Sequence, residues 1–102
     1  MNSVVKESWF RLSLPEQMVN IGNEVKRAVR FDSNAEKKTV FLEKALALTD
    51  LTMEDPKNQK VLPELEISRE VLMDYNGKHE LDCPKESIES IQRYYMNFTF
   101  MI

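Results

Sequence analysis

The stretch WFRLSLPEQMVNIGNEVKRAVRF, residues 9–31, carries the clearest structural signal in the chain, because a helix start, an apolar stripe and a helix end follow one another. Ser13 and Glu16 match the S-x-x-E capping box, in which each side chain accepts a backbone N–H that the helix leaves free. Pro15 in the first turn removes no intrahelical hydrogen bond. The apolar stripe comprises Leu14, Met18, Ile21, Val25, Ala28 and Val29. This pattern predicts an amphipathic helix that ends near Arg30.

Three further segments have helical patterns. Residues 33–36 offer a second capping box, and apolar residues then cover a wide arc of a helix from about 34 to 53. Helical spacing returns over about 62–75, after the loop-like EDPKNQK, and Asn76-Gly77 is typical of a left-handed helix cap. The last apolar stripe comprises Ile88, Ile91, Tyr95, Phe98 and Ile102.

The four predicted helices have short connections, and the 102 residues include only 2 glycines and 4 prolines. Few turn-forming residues disfavour an all-β fold. We therefore predict an all-α protein, a small antiparallel helical bundle of about four helices that forms a single domain over residues 1–102. We expect the N-terminal segment, residues 1–12, either to pack on this bundle or to join an interface.

Charge and cysteine content restrict the classes of partner. A net charge of −3 argues against a general nucleic-acid or membrane-surface binder, because both attract proteins through a positive field. The single cysteine, Cys83, cannot form an intrachain disulfide. No stretch approaches the ~20 apolar residues of a membrane span, and the N-terminal residues lack the apolar centre of a signal peptide. We therefore expect a soluble cytoplasmic protein with no membrane partner.

Polar residues on the predicted helices form one candidate site. Asn20, Glu24 and Arg27 repeat at i, i+4 and i+7 on the polar side of the first helix and are suited to a polar ligand. The alternative is a solvated face with a Glu24–Arg27 pair of small energetic value. If the helices that carry them are neighbours, Arg69 and Asp74 extend this set into a shallow site.

No pattern of catalytic or metal-binding residues is present in the sequence. His79 and Cys83 are close along the chain, but a nucleophilic pair also needs an orienting group and an oxyanion site. The acidic stripe Glu66, Glu70 and Asp74 lacks the E-x-x-H pairs of di-metal bundles. Gly-rich phosphate loops and nucleophile elbows are missing. We therefore predict no catalytic residue, no metal and no cofactor, and keep His79 only as a polar-site candidate.

Cationic residues gather near the turn between the first two predicted helices, a region that we call the positive corner. Its members are Lys26, Arg27, Arg30, Lys37 and Lys38. Neighbouring carboxylates dilute this charge, and the sequence shows no exposed aromatic platform beside it. We expect the positive corner to serve solubility and the helix dipole, with phosphate binding as the lesser alternative.

Some apolar residues at the end of the chain are not used by the predicted core. Met96 and Phe100 lie at i and i+4, opposite the last apolar stripe. A second apolar face on a small bundle is usually covered by another chain or segment. The interface candidates are therefore Met96 and Phe100, with Trp9 and Phe10 of the N-terminal segment, and the remaining alternative is a frayed tail.

The run W-x-x-L-S-L-x-E-Q-M-x-N-I-G-x-E-V-x-R-A at residues 9–28 resembles an uncharacterised family of small all-helical bacterial and archaeal proteins, as do ALALTDLTMEDPK and REVLMDY. The resemblance implies a cytosolic helical fold and supplies no catalytic residues. A looser likeness is to helical toxin ribonucleases, whose nuclease members carry an arginine closely followed by a histidine. Here EVLMDYNGK separates Arg69 from His79, which departs from that pattern.

The function that we predict from the sequence is a non-enzymatic protein–protein interaction module. It associates with itself or docks on another protein through the face that contains Met96 and Phe100. The alternative is an RNA-directed component of the toxin–antitoxin type, which uses Arg69, His79 and the positive corner.

Overall fold

A computed structural model of the protein describes residues 3–78 and 85–102. Over these ranges it shows the α-helices α1 Ser3–Phe10, α2 Leu14–Arg30, α3 Ala35–Glu54, α4 Leu62–Met73 and α5 Lys85–Asn97. A 3₁₀-helix at Pro56–Val61 leads into α4, and a second at Phe98–Met101 follows α5. A wide π-type turn, Asp74–Lys78, follows α4. The described residues contain no strand, and the prediction of an all-α helical bundle is confirmed.

Helix α2 forms where the sequence predicts it because its start is determined locally. The Ser13 hydroxyl accepts the Glu16 N–H at 3.3 Å, and the Glu16 carboxylate accepts the Ser13 N–H at 3.0 Å. The Ser13 N–H lowers the pKa of Glu16, as expected for a carboxylate that accepts a backbone hydrogen bond. The apolar face then buries Met18, Ile21 and Val25 completely.

The helices pack around one core. Helix α2 lies against α3 and α5, and α4 lies against the same two helices. Helices α3 and α4 are antiparallel, because Arg69 meets Asp50 late in α3 while Tyr75 meets Lys38 early in α3. The buried apolar residues are Trp9, Met18, Ile21, Val25, Ala28, Leu42, Ala45, Leu51, Leu65, Val71, Leu72, Ile88 and Tyr95.

A close helix crossing explains Gly22 in the middle of α2. A Cβ at this position would lie 2.8 Å from the Met96 sulfur and 2.8 Å from the Tyr95 Cβ. Only a residue without a side chain allows α5 to approach this closely. On its other side, the Tyr95 hydroxyl donates to the Ser68 Oγ at 2.8 Å, so this tyrosine joins α5 to α4.

The structure corrects several local predictions. The second capping box is wrong, because Asn34 and not Ser33 caps α3, with its side-chain oxygen accepting the Lys37 N–H at 3.2 Å. The EDPKNQK segment is largely 3₁₀-helical because the Asp55 side chain caps it. Ile102 was expected in the last apolar stripe but is 70% exposed. The left-handed cap is confirmed at Gly77, whose φ is 97°.

Candidate functional site

The polar candidates of α2 differ in exposure, because Asn20 and Arg27 are exposed while the Glu24 side chain is largely buried. Asn20 is exposed, and its side-chain amide donates to the Glu16 carbonyl oxygen at 2.8 Å. The Arg27 guanidinium lies 2.6 Å from the Glu24 carboxylate, so the predicted i, i+3 pair is confirmed. Both of these contacts lie within α2, so the polar side of this helix consists of local pairs.

Arg69 of α4 and Asp74, which follows it, have different surroundings. The Arg69 guanidinium meets the Asp50 carboxylate of α3 at 2.6 Å. Asp74 is only 2% exposed, whereas Glu66 and Glu70 of the same stripe are exposed. The contacts of Arg69 therefore point to α3 and not to Glu24 or Arg27 of α2. His79 and Cys83 lie outside the described residues.

The four interface candidates have very different surroundings. Trp9 is buried, and its indole N–H donates to the Thr52 hydroxyl at 3.0 Å. Phe10 is partly buried against the core. Met96 is half-buried at the crossing with Gly22. Phe100, in contrast, is 89% exposed.

Met96 and Phe100 do not form the shared face that i, i+4 spacing predicts. The chain tightens into a 3₁₀-helix from Phe98, and residues four apart no longer lie above one another in that geometry. Three consecutive apolar residues are exposed instead, at 89%, 66% and 70%: Phe100, Met101 and Ile102. We call them the C-terminal apolar surface.

A shallow groove runs between α4 and α5. Its volume is ≈ 220 Å³, and it is lined by Glu64, Ile67, Ser90, Ile91 and Tyr94. Ile67 is 59% exposed, and the buried Tyr94 hydroxyl has no hydrogen-bond partner of normal geometry among the described residues. Burial, together with the negative charge of Glu64, raises the pKa of Tyr94 to about 12. The groove therefore offers apolar walls and one hydroxyl that stays protonated at neutral pH.

Part of the charge in the positive corner is neutralised. The Lys38 ammonium lies 3.5 Å from the Asp32 carboxylate and 3.9 Å from the centre of the Tyr75 ring. The Tyr75 hydroxyl donates to the same carboxylate. Burial and the Asp32 charge raise the pKa of Tyr75, so the phenol remains a donor. These contacts tie the end of α4 to the turn between α2 and α3.

An aromatic pair lies beside the positive corner, which the sequence did not reveal. The rings of Phe31 and Phe41 stack with centroids 5.7 Å apart, and the Lys37 ammonium lies 4.9 Å from the Phe31 centroid. Both rings line a shallow pocket of ≈ 460 Å³ together with Asn34, Glu36, Lys37 and Val40. The sequence showed no exposed aromatic platform beside these cations, and the structure places two partly buried rings there. The two rings meet only because the chain reverses between α2 and α3.

A second unpredicted feature is a cluster of buried polar side chains, which we call the basal polar cluster: Gln17, Thr52, Asp55 and Asn58. The Gln17 amide donates to the Trp9 carbonyl oxygen at 2.9 Å and to the Asp55 carboxylate at 3.0 Å. The Asn58 amide donates to the Gln17 side-chain oxygen and to the Thr52 carbonyl oxygen, both at 2.9 Å. The cluster therefore joins α1, α2, the end of α3 and the first 3₁₀-helix.

Asp55 carries the charge of the basal polar cluster. Burial acts to raise the pKa of this carboxyl, but hydrogen bonds from Lys57 and Gln17 outweigh burial and hold its pKa below the ordinary value. The Lys57 ammonium also donates to the Phe10 carbonyl oxygen at 3.2 Å. These groups bond to one another and to the backbone, as expected of a structural network and not of a catalytic centre.

Within residues 5–77 and 88–102, no group of three or more histidine, cysteine, aspartate or glutamate side chains is arranged to hold a metal ion. None of the helices in the described ranges has the length and apolar character needed to cross a bilayer.

Comparison of the chain with protein-family models, with curated proteins and with solved structures gives no match.

Proposed function

We propose that the protein is a non-enzymatic helical module whose function is to bind protein, either a second copy of itself or another chain. The observation that carries the proposal is the C-terminal apolar surface, where Phe100 is 89% exposed beside two further exposed apolar residues. Contiguous exposed apolar residues on a small domain are typical of interaction sites. An aromatic residue is a frequent anchor in such interfaces.

The arrangement of the polar groups supports a binding role over catalysis. The strongest polar constellation, the basal polar cluster, is engaged in joining helices. Asn20, Glu24 and Arg27 bond within α2, and Arg69 pairs with Asp50 of α3. We further propose that the module acts in the cytoplasm and is related to the small helical bacterial and archaeal proteins that residues 9–28 resemble.

The variant Phe100→Asp tests this function. We expect unchanged helicity, because the side chain is almost fully exposed, and at least about tenfold weaker binding to whatever protein the wild type retains. The measurement is a capture experiment with identified and quantified proteins, together with light scattering of the purified chain. Val5→Asp is the matched control, since it makes the same apolar-to-acidic change at an exposed residue of α1. Equal capture and equal assembly state for Phe100→Asp and wild type would contradict binding through the C-terminal apolar surface.

RNA binding is the second candidate function, and the Phe31–Phe41 pair favours it. Partly exposed aromatic rings beside cations are similar to the surfaces on which proteins stack the bases of single-stranded nucleic acid. Arg69 does not contribute to this surface, since its guanidinium pairs with Asp50. This candidate predicts RNA retention that falls steeply with salt, and no retention at low salt would remove it.

A further inference from the structure

The exposed face of α3 has an unusual distribution of charge around Val40. Val40 is 47% exposed, and its nearest neighbours on the helix surface lie three and four residues away in each direction. Lys37 and Glu43 are the neighbours at a distance of three, and Glu36 and Lys44 are those at a distance of four. Each charge before Val40 is thus matched by the opposite charge at the same distance after it.

These four charges cannot satisfy one another within α3. Opposite charges pair along a helix when they are three or four residues apart, but the members of this set that carry opposite charge are adjacent, six or eight apart. All four side chains are exposed, and no ion pair among residues 5–77 and 88–102 uses any of them. The chain itself therefore supplies no ion pair to these four charges, although the ammonium groups of Lys37 and Lys44 lie over the rings of Phe31 and Phe41.

A second copy of the chain, related by a two-fold axis through Val40, would pair all four charges. When two copies of α3 pack antiparallel about such an axis, residue 40+n of one copy meets residue 40−n of the other. Lys37 then faces Glu43 of the second copy, and Glu36 faces its Lys44. Each pair occurs twice, and Val40 meets Val40 at the centre, where the shallow pocket walled by Phe31 and Phe41 adds apolar surface.

We propose that this face, formed by Glu36, Lys37, Val40, Glu43 and Lys44, binds a second copy of the chain as a symmetric antiparallel α3–α3 contact. The inference deepens the proposed function by naming one partner and one surface, and it rests on that function being protein binding. A single helix face is smaller than a standard interface, so the dimer is weak, and its rim of ion pairs makes it sensitive to salt.

Charge reversal with mixing tests the symmetry itself. In Lys37→Glu homodimers, position 37 meets Glu43 of the other copy, so both pairs become repulsive; Glu43→Lys homodimers fail in the same way. We expect about a tenfold increase in the dimer dissociation constant for each variant alone. An equimolar mixture of the two restores both attractive pairs in the mixed dimer, which we expect to match wild type within about threefold.

The readout is sedimentation equilibrium at low and high salt, with circular dichroism as the check that each variant folds. Lys60→Glu is the matched control, because it makes the same reversal at an exposed lysine outside α3. A wild type that stays monomeric at about 1 mM in low salt overturns the proposal. A mixture of the two variants that associates no more strongly than either variant alone also overturns it. The same holds if the wild type is a monomer that retains RNA and Lys37→Glu abolishes this retention.

The two proposals fail separately. Phe100→Asp leaves the α3–α3 contact intact, so a salt-sensitive dimer that persists in this variant supports the present inference whatever becomes of the C-terminal apolar surface. Phe100-dependent capture of another protein by a monomeric wild type would retain the proposed function and reject the α3 dimer.

Discussion

Gln17 shows how a single polar residue organises one end of the bundle. It lies beside Met18 on a helix that is otherwise apolar toward the core, and it is 0% exposed. Its amide group bonds to the Trp9 backbone, Asp55 and Asn58, which belong to three other segments. A buried amide is tolerated when its donors and acceptor are satisfied, as they are here.

Replacing this residue with leucine leaves its partners without hydrogen bonds in a buried environment. We expect Gln17→Leu to lower the free energy of unfolding by about 2–4 kcal/mol, because several buried polar groups lose a partner together. Urea denaturation followed by circular dichroism measures the loss. Gln59→Leu is the control, since Gln59 is exposed and the same change there is expected to cost little. Similar losses for the two variants would argue against the network.

Asp55 predicts how stability depends on pH. The pKa of Asp55 in the folded protein is lowered below the reference value of 3.8. Its contribution to the free energy of unfolding is therefore present above about pH 4 and is lost as the pH falls through the folded pKa. The loss of unfolding free energy on acidification is therefore expected to be smaller in Asp55→Asn than in wild type. Urea midpoints measured in steps from neutral pH into acid check this, with the exposed Glu54→Gln as control. Parallel curves for Asp55→Asn and wild type would contradict the assignment.

The crossing of α2 and α5 is the clearest packing constraint between two elements. Gly22 lies in the middle of α2, where glycine is less favourable than alanine by about 1 kcal/mol, so its presence needs a reason. That reason is the backbone-linked Cβ of Tyr95, which cannot swing away as a flexible side chain can.

We therefore expect Gly22→Ala to destabilise the protein by about 1–2 kcal/mol, because overpacking at the crossing exceeds the gain in helix propensity. Thermal unfolding provides the measurement. Asn20→Ala in the same helix is a control for a change to alanine without overpacking, since Asn20 is exposed and loses only a local hydrogen bond to the Glu16 carbonyl oxygen. A more stable Gly22→Ala protein would show that α5 lies too far from α2 for a Cβ at residue 22 to come within 2.8 Å of Tyr95.

The sequence predicted well the helices whose ends depend on local signals. The range Leu14–Arg30 matches because a capping box and an apolar stripe act within one segment. The start of α3 was misplaced by one position because Ser33 and Asn34 are both competent caps, and the turn selects Asn34. The shared face expected of Met96 and Phe100 does not form, because Met96 packs at the Gly22 crossing and the 3₁₀ continuation after α5 cannot be read from apolar spacing.

At the scale of the whole molecule, the bundle has two chemically different ends. The basal polar cluster closes the end where α1, the start of α2 and the end of α3 meet. The opposite end carries the positive corner, the aromatic pair and the exposed face of α3. An interface at α3 therefore lies away from the network that stabilises the fold, so mutations there are expected to spare folding.

Association of the whole chain predicts that stability depends on concentration. If the dimer proposed above forms, binding stabilises the folded state by mass action, and the denaturation midpoint of wild type rises with protein concentration. We expect no such rise in Val40→Asp, because two acidic groups would meet on the two-fold axis. Thermal scans over a hundredfold concentration range, roughly the span needed to see mass action, check this. A midpoint that is equally constant in both proteins would contradict association through this face.

The sequence by itself determined the all-α class, the bounds of α2, the left-handed cap at Gly77 and the Glu24–Arg27 pair. These features depend on caps, turn chemistry and contacts within a few residues, which are properties of short segments. Only the tertiary structure decided which distant residues meet. It brought Gln17 to Asn58 and Phe31 to Phe41, buried Trp9, and exposed Phe100. Contacts between segments depend on how helices cross and where the chain reverses, and helical periodicity does not contain that information.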